Sequence, residues 1–165
     1  MKKLLPPLIA ALVIAAPAAA DIGWYAKWRE APVGLKVSGI EKFPAADQEM
    51  IRAAMADWSA SPVVDLVEAK SGKVRMEVCD GCGFLTRPNR NNGVLHGATI
   101  QIDRQWLGQS FMRGVYCHEL GHGLGLGEGY PVEQTGDFGS CMADSGQWPT
   151  PSQMDFDVLS AMYGG

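Results

Sequence analysis

Apolar and polar positions change period several times along the chain, and each change marks an element. In "AADQEMIRAAMADWSAS" the residues Ile51, Ala54, Met55 and Trp58 fall at i, i+3, i+4 and i+7. That spacing sets one buried face on a helix, which Pro62 bounds. Before it, "GLKVSG" (34–39) alternates and predicts a first strand. After it, "VVDLVEA" (63–69) and "VRMEVC" (74–79) predict strands separated by a Ser-Gly turn, and "VLHGATIQID" (94–103) predicts another. The stretch "CDGCGFLTRPNRNNG" (79–93) is dense in Gly, Asn and Pro and predicts loop. Phe111, Val115, Cys117, His118 and Leu120 predict a helix from Gln109 to His122, ended by the glycines at 121, 123 and 125. An irregular stretch follows over 126–150. "PSQMDFDVLSAMYG" then closes the chain as a helix, with Pro151 and Ser152 at its start and Gly164 just past its end. This order predicts an α+β domain with a mixed sheet.

The first twenty residues stand outside that pattern. Lys2 and Lys3 precede an apolar run, Leu4 to Ala20, which closes on three alanines before Asp21. This is the layout of a cleaved signal peptide. A spanning helix wants about 20 strongly apolar residues, and Pro6 and Pro7 argue against one here. The chain therefore divides into a signal peptide, 1–20, and a domain, 21–165, exported to a periplasm or secreted. Without the two lysines the domain holds 12 basic and 18 acidic residues, for a formal charge of -6. No basic stripe invites nucleic acid, and no second apolar run offers a membrane partner after cleavage. Export also permits disulfides among Cys79, Cys82, Cys117 and Cys141, which allow three pairings.

Chemistry concentrates in "CHELGHGLGLGEGY" (117–130). His118 and His122 are four residues apart on the predicted helix, so both face one side and can bind one metal ion. Neutral imidazole suits zinc, and Glu119 between them is placed to take a proton from a zinc-bound water whose pKa falls to about 7. Two of the three histidines in the chain lie in this pattern, which argues against coincidence.

The run His118-Glu119-x-x-His122-x-x-Gly125-x-x-Glu128, followed by Met142 in "SCMADSG", resembles the metzincin signature of zinc proteases with its Met-turn. "WYAKWREAPVGLKV" with "IRAAMADWS" is similar to the opening strand and first helix of matrixins. "SQMDFDVLSAMYG", with Asp155 and Tyr163-Gly164, is similar to their last helix. Together these cover nearly all of the domain. The resemblance implies a metzincin or zincin-like α+β fold, with a twisted mixed sheet, an antiparallel edge strand, an active-site helix, a Met-turn and a C-terminal helix. It implies a zinc endopeptidase with one catalytic zinc ion on His118, His122 and Glu128, Glu119 as general base, and a peptide or protein as substrate. "GATIQID" (97–103) falls where the family has the edge strand that pairs with substrate.

Some positions depart from the family pattern. Glu128 stands where His or Asp is usual. A carboxylate can ligate zinc at about 2.0–2.2 Å, with Asp137, Asp144 or water as alternatives, and a metal site without turnover leaves a binding module as the second reading. No propeptide or cysteine switch is evident, so latency would need a separate protein inhibitor or the compartment itself. The stretch 79–93 is shorter than the matrixin region that holds structural zinc and calcium, which leaves structural calcium open, and His96 reads as an ordinary surface histidine. The family fold brings helix and Met-turn together and so favours Cys117 with Cys141 and Cys79 with Cys82, the cross-pairings remaining open. Trp148 is a candidate wall of the substrate pocket or a packing residue. Tyr130 either bonds the reacting carbonyl or lines the loop.

Overall fold

The computed structural model describes residues 26–127, 139–143 and 148–164. Among the described residues six strands form one sheet: β1 (Lys27–Trp28), β2 (Leu35–Ser38), β3 (Leu66–Glu68), β4 (Val74–Cys79), β5 (Phe84–Asn91) and β6 (Val94–Asp103). β6 organises them. Along one side it pairs in parallel with β1 at Lys27↔Val94 and with β4 from Val74↔Ala98 to Cys79↔Asp103. Beyond β4 come β2 and then β3, both parallel. Along its other side β6 pairs antiparallel with β5, from Phe84↔Ile102 to Asn91↔Val94.

Two expectations from the sequence do not hold. The segment 79–93, read as loop, contains an eight-residue strand. The antiparallel edge strand is that segment, while "GATIQID" lies inside the sheet. The phase of the bonding explains how a stretch with proline forms a strand. Asp103 N–H donates to the Gly83 carbonyl at 2.8 Å, and Ala98 N–H donates to the Lys73 carbonyl at 2.9 Å. From Gly97 to Asp103 the odd positions of β6 thus bond β5 and the even ones bond β4, before a register shift between Asn89 and Arg90 breaks the phase near the hairpin. Pro88 faces Ala98, a pair without mutual hydrogen bonds, so its missing N–H removes nothing from the ladder. Asn92 and Gly93, at φ 48° and 74°, make the two-residue hairpin turn into β6. A disulfide between Cys79 and Cys82 spans the turn from β4 to β5. At the far end of β6 the Asp103 carboxylate accepts from the backbone N–H of Gln105 and of Gly83, bonds that hold its pKa below the ordinary aspartate value despite burial.

Helix α1 (Ala45–Trp58) buries Ile51, Ala54, Met55 and Trp58, the residues its spacing selects. Helix α2 (Met112–Gly123) starts three residues after the predicted point and is buried on nearly every side. Two links join these helices. The Trp58 indole N–H donates to the Cys117 carbonyl at 2.8 Å, and the Tyr116 hydroxyl donates to the buried Asp47 carboxylate at 2.6 Å. Helix α3 (Gln153–Tyr163) opens on a capping box between Ser152 and Asp155. One apolar core runs through the sheet, from Val37, Val74, Met76 and Ile100 to Ile51, Trp58 and Leu120 on the helices.

Candidate active site

His118 and His122 occupy successive turns of α2, and the chain just beyond them sets their orientation. His118 Nδ1 lies 2.9 Å from the Cys141 carbonyl, and His122 Nδ1 lies 2.9 Å from the Leu126 carbonyl. A carbonyl only accepts, so each of these bonds takes a proton on Nδ1 and turns Nε2 toward the other ring. The two Nε2 atoms stand 2.9 Å apart. At that distance the two nitrogens share a proton in a hydrogen bond or, with both rings neutral, can share a metal ion. Two nitrogens at about 2.0–2.1 Å on a tetrahedral zinc would be separated by about 3.3 Å, so a few tenths of an ångström of side-chain movement would admit the ion. The pair therefore suits two positions of a zinc site, with each ring held from behind by a backbone acceptor as metal-binding histidines commonly are. The described residues include no group of three or more His, Cys, Asp or Glu side chains that could complete one.

Glycines make the chain path possible. Gly125 has φ 103°, and a Cβ there would strike the Ala26 carbonyl. Only glycine lets the backbone turn so sharply against the N-terminal segment and bring the Leu126 carbonyl back to His122. At Gly121, inside α2, a Cβ would strike the Met142 sulfur and the Trp58 ring. Met142 is fully buried there, under the helix that carries both histidines. The disulfide between Cys117 and Cys141 ties this turn to α2 one residue before His118, with the two Cα atoms 5.9 Å apart. Both disulfides are those the family resemblance favoured. Ser140 holds the turn from the other side, its hydroxyl donating to Asp155 at 2.6 Å.

Glu119 is buried beside His118, and its carboxylate oxygen Oε2 accepts from the Thr86 hydroxyl at 2.6 Å. Thr86 lies on β5, so the edge strand faces the Glu119 carboxylate directly. A cleft of about 280 Å³ opens between them, lined by Phe84, Thr86, Pro88, Arg90, Glu119 and His122. The bonding phase of β5 turns the backbone groups of Phe84, Thr86 and Pro88 away from β6. Among the described residues no strand covers that side. A larger cavity of about 770 Å³ lies at the N-terminal ends of β2, β4 and β6, beside Trp28, Lys36, Lys73 and His96. It includes neither Glu119 nor the paired histidines, whereas Glu119 and His122 both line the smaller cleft.

His118, Glu119, His122 and Met142 are thus brought together. Glu128, Asp137, Asp144 and Tyr130 lie outside the described residues. Trp148 is exposed and is not among the described residues lining the cleft. His96 is exposed and remote from the pair. Thr86 and the edge it belongs to were missed by sequence reasoning; the Asn92-Gly93 dipeptide between two runs of strand length was the signal that could have found them.

No family model matches the sequence, and no curated protein matches it. Solved structures do resemble it. Myroilysin superposes with a TM-score of 0.60 at 15% identity, over 85% of this chain and 96% of that one. High choriolytic enzyme 1, a hatching-enzyme zinc-protease from the medaka fish Oryzias latipes, gives 0.58 at 15% identity, over 84% of this chain and 94% of that one. At that identity the likeness is one of fold alone: this chain shares the arrangement of mixed sheet and helices seen in these two structures.

Proposed function

We propose that the chain is an exported zinc-dependent endopeptidase acting on peptides or proteins. The observation that carries this reading is the pair of imidazoles, each fixed through Nδ1 to a backbone carbonyl, whose Nε2 atoms converge to 2.9 Å beside a buried glutamate. His118 and His122 would hold zinc, and Glu128 is the proposed third ligand. Zinc in that position supplies Lewis acidity toward a carbonyl and lowers the pKa of water towards about 7. Glu119 takes the proton of the attacking water and returns it to the leaving nitrogen, which conserves the proton across the cycle. The outward N–H and C=O of Phe84 and Thr86, with the Pro88 carbonyl, offer an extended substrate a short ladder. Their backbone bonds read little of the substrate's sequence. Two disulfides in so short a domain fit an oxidising compartment and support export. The matrixin-like branch rests on the sequence resemblance of the opening strand, first helix and last helix.

Elemental analysis of the dialysed protein tests this. One zinc per wild-type chain and a clear loss in Glu128→Ala are expected, together with peptidase activity that a chelator removes. Glu119→Ala should keep the zinc and lose at least about a hundredfold in kcat. Zinc retained in full by Glu128→Ala would move the third ligand to Asp137 or Asp144. A wild type without zinc would overturn the enzyme reading in favour of a binding module.

A further inference from the structure

We propose that Thr86 is a positioning residue for the reaction, and that its hydroxyl, projecting from the exposed edge strand, fixes the Glu119 carboxylate for proton transfer. The inference rests on Glu119 being the general base. Thr86 Oγ1 lies 2.6 Å from Glu119 Oε2 and 3.0 Å from the Glu119 backbone carbonyl. A hydroxyl has one proton to give, and the carboxylate is both the nearer and the stronger acceptor. A glutamate carboxylate otherwise turns freely about its last side-chain bond. Anchoring Oε2 from a neighbouring strand holds the group in one orientation and reserves the other oxygen for the transferred proton.

The location of Thr86 gives the contact a second meaning. Thr86 faces Ile100 across a pair without mutual hydrogen bonds, so its own N–H and C=O point away from the sheet while its side chain reaches α2. The residue that offers backbone bonds to an extended substrate is therefore the residue that aims the base. A substrate strand that pairs with Thr86 holds β5 in place and, through the hydroxyl, holds Glu119. Misplacing a reacting group by about 1 Å can cost a hundredfold in rate, so losing this anchor should show in kcat rather than in KM.

The test compares wild type, Thr86→Val and Thr86→Ser, each alone and with Glu119→Ala, as zinc-loaded full chains. Steady-state kinetics would use a fluorogenic peptide selected from a mixed peptide library. Valine keeps the shape and suits a strand, while serine keeps the hydroxyl. The expected result is a fall of about 10- to 100-fold in kcat for Thr86→Val with KM little changed. Recovery in Thr86→Ser, unchanged zinc content and thermal midpoint, and no further loss when Thr86→Val is added to Glu119→Ala should accompany it. An active Thr86→Val with wild-type kcat would overturn the positioning role and leave the peptidase reading intact. Equal losses in Thr86→Val and Thr86→Ser, carried by KM, would also overturn it, because the residue would then act only as part of the strand. A wild type that cleaves nothing would remove the peptidase reading and this role together. Should the valine variant fail to fold, Thr86→Ala takes its place with the same outcomes.

Discussion

At the scale of single residues, the site depends on positions where only one side chain can stand. Gly125 is the sharpest case, because it meets two demands together: a left-handed φ of 103° and the Ala26 carbonyl packed where a Cβ would lie. Gly108 meets only the first, with φ 78° and open space around it. Comparing the two therefore separates backbone strain from steric exclusion. Gly108→Ala should lower the unfolding free energy by about 1–2 kcal/mol, the left-handed cost for an L-residue. Gly125→Ala should cost at least about 1 kcal/mol more and should also lower zinc occupancy, because the Leu126 carbonyl that orients His122 is the next residue along. Urea unfolding and metal analysis of the two variants check this; equal losses with full zinc in both would mean that Ala26 simply moves aside. Gly125 was legible in the sequence through its place after the second histidine. Thr86 was not, since its meaning comes from contact with a residue 33 positions away.

At the scale of elements, the chain was readable where an element could be recognised from its own period. Helix α1 declared itself because Ile51, Ala54, Met55 and Trp58 repeat at helical spacing, and those four are the residues it buries. Strand β5 did not, because glycine, asparagine and proline oppose strand formation locally. It forms because the outer side of β6 supplies a partner in which Pro88 has no bond to lose. The two disulfides differ in the same local-versus-distant sense. Cys79 and Cys82 are separated by 3 residues, Cys117 and Cys141 by 24. Chain-entropy arguments give about 2 kcal/mol for the short loop and about 3.5 kcal/mol for the long one. Replacing Cys117 and Cys141 by serine should thus destabilise the fold by about 1.5 kcal/mol more than replacing Cys79 and Cys82. Only the first pair should weaken zinc binding, because the Cys141 carbonyl orients His118. Denaturant midpoints and competition with a zinc indicator read the two effects separately. Equal zinc affinity in both variants would show that the turn at Met142 keeps its place without the bridge.

At the scale of the whole molecule, the two ends of the described chain meet behind α2, the helix that carries the histidine pair. The Tyr163 hydroxyl, near the end of α3, donates to the Leu124 carbonyl at 2.7 Å and accepts from Trp28 N–H at 3.2 Å. The Trp28 indole in turn donates to the Gly123 carbonyl at 3.1 Å. First strand, last helix and the exit of α2 are thus joined through one phenol, directly before the turn that leads to the proposed third ligand. Burial pushes the Tyr163 pKa up to about 12 from its ordinary 10, and the Trp28 N–H only partly offsets this. Burial raises Tyr116 as well, and its bond to the Asp47 carboxylate adds to the effect. In both cases the folded protein holds the proton more tightly than the unfolded chain does. The stabilisation is therefore complete below about pH 10 and, for Tyr163, is lost as the pH rises through about 12. The wild type should lose stability steeply over that alkaline range. Tyr163→Phe should start lower, by about 1–3 kcal/mol for the buried groups left without a partner, and should then fall more gently between pH 10 and 12 because the group that titrates is gone. Urea unfolding at stepped alkaline pH separates the offset from the slope. An unchanged slope would place the alkaline sensitivity elsewhere, with Tyr116→Phe the variant to compare. A changed slope would show that the Tyr163 proton, held between the Leu124 carbonyl and the Trp28 N–H, carries that part of the alkaline sensitivity.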